Sequence, residues 1–566
     1  FLEEKSNFSR EKNFPRGLMK NKETYILIVI LIIASILRFS NLSSCPDGLA
    51  QDEGCNAWNS YCLLKTGQDQ FGVSWPVVYF RGLGGNYTTL FIYILLPFLH
   101  IFGLTVDSAR MAPAFLGTAS VMLIYIAGKR LFNPYVGLVA AALLALNPWP
   151  FYLSRLAHEG CVCPFAVTAG LVLLLYGNMS LDDNQKSLPS PLISGMAGLM
   201  IGIFCYGYHS IRIFWPFFLI FLVLLNWKDF LCLIKNSRGL MAFLAFTVSL
   251  FLILFPVAYT YITETGTVAR HGDTQFLWKV MNLTPLQLVL AIIYRYLNHF
   301  NPWYLFVQTD FNVNNLPGAK MLHFYMFPLT VAGFIVLINQ VKSSRSARLL
   351  LALILAYPVA DSFCYFASPS QMRSAPGICG ILLLASLGGV NGFIWLWKKR
   401  SSLAYRITSV MVLLFIINNL SYFYFYFYVH DNTLDAYRIY QVDVRQSCEW
   451  LKPRLNDIDS VFMTTSKMNQ PYIMTLVYLN YEPSRWFKDV HLIYTPGEWD
   501  WHVRYGKMNF MYSDLWLPRL KELQNNETKD RVVFIVRPGE LDFGKPVEQI
   551  CDPSGQPSLN IYDIYI

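Results

Sequence analysis

"CPDGLAQDEGCNAWNSYCLLKTGQ" (Cys45–Gln68) follows the first long apolar segment of the chain and carries two adjacent acids, Asp52 and Glu53. Charged residues are only 14% of the 566 positions, against about 25% in an ordinary soluble chain. An ionisable group at membrane depth costs about 2.5–3.5 kcal/mol on insertion scales, so such a pair needs a partner or a task. Hydrophobic residues reach 54% and aromatic residues 16%. Apolar runs recur near the ~20 residues that a bilayer requires, which predicts a polytopic α-helical membrane protein.

Twelve apolar segments are candidates: 24–41, 88–103, 107–128, 134–151, 162–178, 191–207, 211–226, 239–262, 322–341, 347–364, 375–397 and 404–427. The tail 1–23 holds six Lys and Arg and reads as cytoplasmic under the positive-inside rule. If 88–103 crossed, the clusters at Lys129-Arg130, Lys228/Lys235/Arg238, Lys342/Arg345/Arg348 and Lys398-Lys399-Arg400 would all lie outside. That segment is short and contains Pro97 and His100, so it is expected as a juxtamembrane helix. About eleven spans then remain, and the large connections, including the first loop 42–106, face outward. The sequence begins with Phe, so the true N-terminus is expected upstream, and nothing before Thr24 resembles a cleavable signal.

Residues 429–566 read as a small extracytoplasmic α/β unit behind the membrane part, 24–428. DSVFMTT (459–465), VHLIYT (490–495), RVVFIV (531–536) and LNIYDIYI (559–566) have strand character, and 440–455 and 471–481 have helical character. Cys448 and Cys551 would be able to pair in an oxidising compartment if the fold brings them together. Cys161 and Cys163 form a CxC that is better read as packing than as metal ligation. The net charge of +9 is spread over short clusters between apolar segments, which argues against a nucleic-acid partner. No internal repeat of fixed period is visible.

Several ionisable residues gather on the expected outer face. Beside Asp52 and Glu53 stand Arg155, His158 and Glu159 of SRLAHEG (154–160), Tyr206, Tyr208, His209 and Arg212 of YGYHSIR (206–212), and Arg373 of SPSQMRSAPG (368–377). Each alone is equally an interfacial anchor or half of a salt bridge; together they favour a site. A lipid-phosphate sugar donor fits such a set, because Arg and His suit the phosphate and the leaving group needs no strong acid. One carboxylate then suffices to deprotonate the acceptor as it attacks the anomeric carbon, which predicts inversion. Adjacent acids in one segment do not readily make the facing pair of a retaining hydrolase.

The stretches QDEGCNAWNSYCLLKTGQ (51–68), NYTTLFIYILLPFLHIFGLTVDSARMAPAF (86–115) and NPWPFYLSRLAHEG (147–160) resemble the GT-C class of membrane glycosyltransferases. Within it, the chain looks like the family 39-like branch of protein O-mannosyltransferases and lipid A aminoarabinose transferases. The likeness covers about 24–400 and is strongest over 45–160. It implies Asp52 and Glu53 as the catalytic pair, with Asp52 the base and Glu53 orienting or supporting it. It further implies donor-phosphate contacts from Arg155, Arg212, Arg373, Tyr208 and His209. VQTDFNVNNLPGAKML (307–322) resembles the long outer loop near the donor, with Asp310 at the acidic position. Relatives often carry a basic residue just after that acid, where this chain has Asn312, Asn314 and Asn315.

His158 and Glu159 with Asp52 would either ligate a divalent metal, as in some relatives, or form a salt bridge with Arg155. The partners implied are a polyprenyl-phosphate sugar, an acceptor (protein, lipid or glycan) and the bilayer, with a bacterial inner membrane favoured. Two other functions fit a polytopic chain: a polyprenyl-lipid or glycolipid flippase, and an inactive scaffold. A flippase would place its charges near the midplane of discontinuous helices.

Overall fold

The computed structural model describes residues 16–82, 85–177, 189–264, 276–307, 320–365, 368–493, 502–512, 516, 530–541 and 543–566. Asp310 falls outside them. The first half comprises α1 (Arg16–Phe39), α2 (Gln51–Thr66), the hairpin β1 (Tyr79–Gly82) and β2 (Gly85–Thr88), α3 (Thr89–Phe102), α4 (Val106–Leu131), α5 (Pro134–Leu146), α6 (Pro148–Leu153), α7 (Val162–Tyr176), α8 (Pro191–Phe204), α9 (His209–Leu225), α10 (Trp227–Lys235) and α11 (Ser237–Thr263). There follow α12 (Leu277–Val280), α13 (Pro285–Asn298), α14 (Pro302–Phe306), α15 (Met326–Gln340), α16 (Arg345–Ala356), α17 (Val359–Ser362), α18 (Ile378–Lys399), α19 (Ser401–Tyr424) and α20 (Leu434–Ile439). The C-terminal part holds α21 (Val442–Leu451), β3 (Ser460–Met463), α22 (Pro471–Tyr478), α23 (Pro483–Asp489), β4 (His491–Ile493), β5 (His502–Tyr505), β6 (Met508–Phe510), β7 (Arg531–Val536), β8 (Glu548–Cys551) and β9 (Pro557–Tyr565).

Among the described residues, five helices are long and apolar enough to cross a membrane, or six if the pair α9 and α10, bent by 88°, is one span. This is fewer than the eleven expected from hydropathy. The difference has local causes. The expected span 134–151 is broken at Asn147-Pro148, where Asn147 Oδ1 accepts the Trp149 amide at 3.1 Å and starts a new helix. α3, α5, α8 and α15 are apolar but only 13–15 residues long. The segment 88–103 does form a short helix, α3, as expected.

The helices approach closely where glycine permits it. A Cβ on Gly333 would fall 2.0 Å from the Leu384 carbonyl, and one on Gly388 2.0 Å from that of Leu329. α15 and α18 therefore pack backbone to backbone, as small residues allow in membrane helices.

The C-terminal sheet has the order β4-β5-β6-β3-β7-β9-β8, with β3 parallel to both β6 and β7. RVVFIV is buried along nearly its whole length, as a central strand covered on both faces should be. The expected strands and helices are present, while β5, β6 and β8, only 3–4 residues each, went unpredicted. Cys448 is buried in α21, Cys551 is exposed on an edge strand, and both are free thiols. Burial pushes the Cys448 thiol well above its ordinary value, which keeps it inert.

The sheet unit rests directly on α2. Trp486 of α23 stacks edge-on against Trp58 at 5.9 Å and donates its indole N–H to the Gln70 carbonyl at 2.8 Å. Leu49 N–H donates to the Tyr440 carbonyl at 3.0 Å. Gly48 makes this possible: its φ is +82°, and a Cβ there would lie 2.3 Å from that same carbonyl oxygen. Replacing Trp486 by Ala removes one of the two buried indoles at this junction. The expected loss is about 3–5 kcal/mol, read as a lower Tm and faster proteolysis between residues 429 and 442.

Candidate functional site

Asp52 lies in the first turn of α2, where the positive end of the helix favours a carboxylate. Its Oδ1 accepts the Tyr87 hydroxyl at 2.6 Å, and its Oδ2 faces His158 Nε2 at 3.5 Å. His158 Nδ1 accepts the Gly160 amide at 2.9 Å, which orients the ring. Its Nε2 is buried, faces Asp52 and makes no hydrogen bond among the described residues. Glu159 Oε1 accepts the Thr88 amide at 2.9 Å, while Oε2 stands 4.0 Å from the same His158 nitrogen. Asp52, His158 and Glu159 are all buried. The Tyr208 ring meets His158 edge-on at 5.8 Å, and His209 Nε2 lies 3.2 Å from the Asn86 carbonyl.

Glu53, next in sequence, has a different situation. Oε1 accepts from Arg110 Nε at 2.8 Å and the Ala157 amide at 2.9 Å; Oε2 accepts from Arg110 Nη2 at 2.8 Å and the Ala50 amide at 3.1 Å. A bidentate guanidinium and two amides fill its accepting positions, so Glu53 supports α2 and is not placed to act on a substrate. Arg110 also donates to the carbonyls of Leu42, Pro46 and Gly48. Sequence reasoning passed over Arg110; the available signal was an arginine inside an apolar helix.

The three arginines among the expected phosphate ligands separate. Arg155 is fully buried, and its five N–H groups donate to the Tyr426 hydroxyl and to the carbonyls of Leu37, Arg38, Asn41 and Cys45. No N–H is left for a ligand, so the phosphate role expected for Arg155 is replaced by that of a clamp on the α1–α2 connection. Arg212 donates from Nε to the Cys205 carbonyl at 2.8 Å and from Nη2 to that of Val78 at 3.4 Å, while its Nη1 is buried with no hydrogen-bond partner.

Arg373 pairs through Nε with Asp361 and lies close enough to Tyr208 to interact electrostatically. Its segment docks on the cluster: Trp149 Nε1 donates to the Gln371 carbonyl at 3.1 Å, and the Met372 sulfur abuts Gly160. Asp361 is fully buried and also accepts from His299 Nε2 at 2.9 Å, the Ser370 amide at 2.8 Å and the Ser368 hydroxyl at 2.9 Å. His299 Nδ1 faces the Arg295 carbonyl at 2.8 Å, so both ring nitrogens have a partner. Asp361 was legible only as the lone acid of the apolar segment 347–364. Asp52, Tyr87, His158, Glu159, Tyr208 and Arg373 thus come together, and Asp310 lies outside the described residues.

The metal expectation rests on His158, Glu159 and Asp52. His158 Nδ1 accepts an amide, and its Nε2 lies 3.5 Å from Asp52 and 4.0 Å from Glu159 without a hydrogen-bond partner among the described residues. Among the described residues no three His, Cys, Asp or Glu side chains form a group able to hold a metal ion.

No family model and no curated protein sequence matches the chain. Solved structures do. ArnT from Cupriavidus metallidurans in the apo state aligns at a TM-score of 0.51 and 11% identity, covering 97% of this chain and 98% of that one. The same protein bound to undecaprenyl phosphate aligns at 0.50 and 11%, covering 95% and 97%. The Archaeoglobus fulgidus oligosaccharyltransferase tethered to an acceptor peptide aligns at 0.48 and 11%, covering 81% of this chain. The chain spans 63% of the length of that oligosaccharyltransferase. The fold is therefore that of the GT-C membrane proteins.

Two neighbouring acids should behave oppositely on substitution. Arg110→Ala leaves Glu53 buried and uncompensated and should cost about 3–5 kcal/mol, with Glu53→Gln also lowering Tm. Asp52→Asn, which retains an acceptor for Tyr87, should unfold within a few degrees of the wild type in the same detergent.

Proposed function

We propose that the chain is an inverting glycosyltransferase that moves a sugar from a polyprenyl-phosphate donor to an acceptor at the extracytoplasmic face. The observation that carries this is the setting of Asp52: a buried carboxylate at a helix N-terminus, bonded by the Tyr87 hydroxyl and faced by His158, beside Tyr208 and the arginine-bearing segment 368–374. The shared fold with ArnT, which has been captured with undecaprenyl phosphate, supports the donor class.

In this mechanism Asp52 takes the proton of an acceptor hydroxyl or amine as that atom bonds to the anomeric carbon. The bond from that carbon to the phosphate oxygen breaks, and the polyprenyl phosphate departs with the electron pair. Tyr87 holds the carboxylate in line, so little reorganisation accompanies proton transfer. Arg373 and the unfilled Nη1 of Arg212 receive the phosphate charge, with Tyr208 and His209 shaping the passage between base and phosphate. Residues 24–428 form the transferase part under this proposal, and 429–566 form an extracytoplasmic unit that braces α2. No step requires a metal.

The test uses purified protein in liposomes with labelled undecaprenyl-phosphate sugars and a membrane extract as acceptor pool. Wild type should transfer label, and Asp52→Asn should lower turnover by roughly 10²–10⁴-fold while still retaining undecaprenyl phosphate. Bound but unconsumed donor with the wild type would overturn the proposal.

A further inference from the structure

The junction of α18 and α19 has features that no part of the transfer reaction uses. The segments Ala375–Lys399 and Ser401–Asn432 each qualify as membrane spans, and they are joined through Arg400 alone, whose backbone is extended. Their shared turn therefore lies at a membrane surface. A hollow of about 450 Å³ opens there, lined by Trp395, Leu396, Lys399, Arg400 and Leu403.

Its charge is one-sided. The chain carries no acid between Asp361 and Asp431, yet Lys398, Lys399, Arg400 and Arg406 cluster at this turn. Lys399 and Arg400 are exposed and form no ion pair among the described residues. Lys399 Nζ instead sits over the Trp395 ring at 4.3 Å, and that ring is itself 57% exposed. Tyr405, one turn into α19, is also exposed. Exposed Trp and Tyr beside unpaired cations at a helix end is the arrangement of a headgroup layer. Leu396 and Leu403 supply the apolar wall that acyl chains would meet.

We infer that this hollow binds the headgroup phosphate of an anionic phospholipid, with Lys399 and Arg400 as its cationic donors and Trp395 as the ring that seats it. The ligand is a membrane lipid because the neighbouring helix surface is itself lipid-facing: only 17% of the α19 span is buried. Near an anionic bilayer each Lys or Arg strengthens binding about fivefold, so the pair should change lipid retention on the order of 30-fold.

Native mass spectrometry of the full detergent-purified chain tests this with an equimolar mixture of phosphatidylglycerol and phosphatidylcholine. Wild type should retain phosphatidylglycerol selectively, and Lys399→Ala/Arg400→Ala should lose that retention about 30-fold with phosphatidylcholine unchanged. Lys228→Ala/Lys235→Ala removes the same charge from another exposed position and should behave as the wild type. Undiminished phosphatidylglycerol on the Lys399/Arg400 variant would overturn the inference. Equal losses from the two double variants would also overturn it, since bulk charge and no built site would then explain binding.

Discussion

The buried pair between Glu53 and Arg110 is the constraint on which the rest of the site depends. One guanidinium binds both oxygens of Glu53 and three carbonyls of the segment 42–48, so the α1–α2 connection and the start of α2 are fixed together from within α4. The desolvation of two charges is offset only because nearly every polar atom has a partner. Arg155 repeats the device from the opposite side, binding carbonyls from Leu37 to Cys45. Between the two clamps the backbone before Asp52 has little freedom, and the carboxylate inherits that rigidity.

This division of labour explains why the two acids adjoin. Successive residues at a helix start point about 100° apart. Glu53 turns inward to Arg110 and the Ala50 and Ala157 amides, while Asp52 turns toward Tyr87 and His158. The C-terminal sheet unit completes the support, since Trp486 and Tyr440 hold the two ends of the segment that contains Asp52. The C-terminal sheet unit is thus part of the floor beneath the proposed base.

Much of the site was legible where composition conflicted with environment. Asp52, Glu53, His158, Glu159 and Arg373 stood out because charge is rare in this chain, and the structure brings all five into one connected region. The roles within that region were less legible, since they depend on where N–H groups point. Arg155 and Arg373 look alike in sequence, yet one is spent on carbonyls and the other pairs with Asp361. Arg110 and His299 escaped notice because Arg110 lies in an apolar helix and His299 caps an amphipathic one, patterns that read as a span and a surface. Hydropathy also sums over Asn147-Pro148 without registering that the pair starts a new helix, so the expected segment 134–151 is two helices. The short strands β5, β6 and β8 lacked a full alternation to detect.

The most direct test of the central claim is a cryo-EM structure of the chain with undecaprenyl phosphate. The account predicts the phosphate against Arg373 and Tyr208, on the same side of the helices as Asp52, with room for a sugar between phosphate and carboxylate. A phosphate bound far from Asp52, with the Asp52–His158–Tyr208 region closed to the lipid, would contradict it.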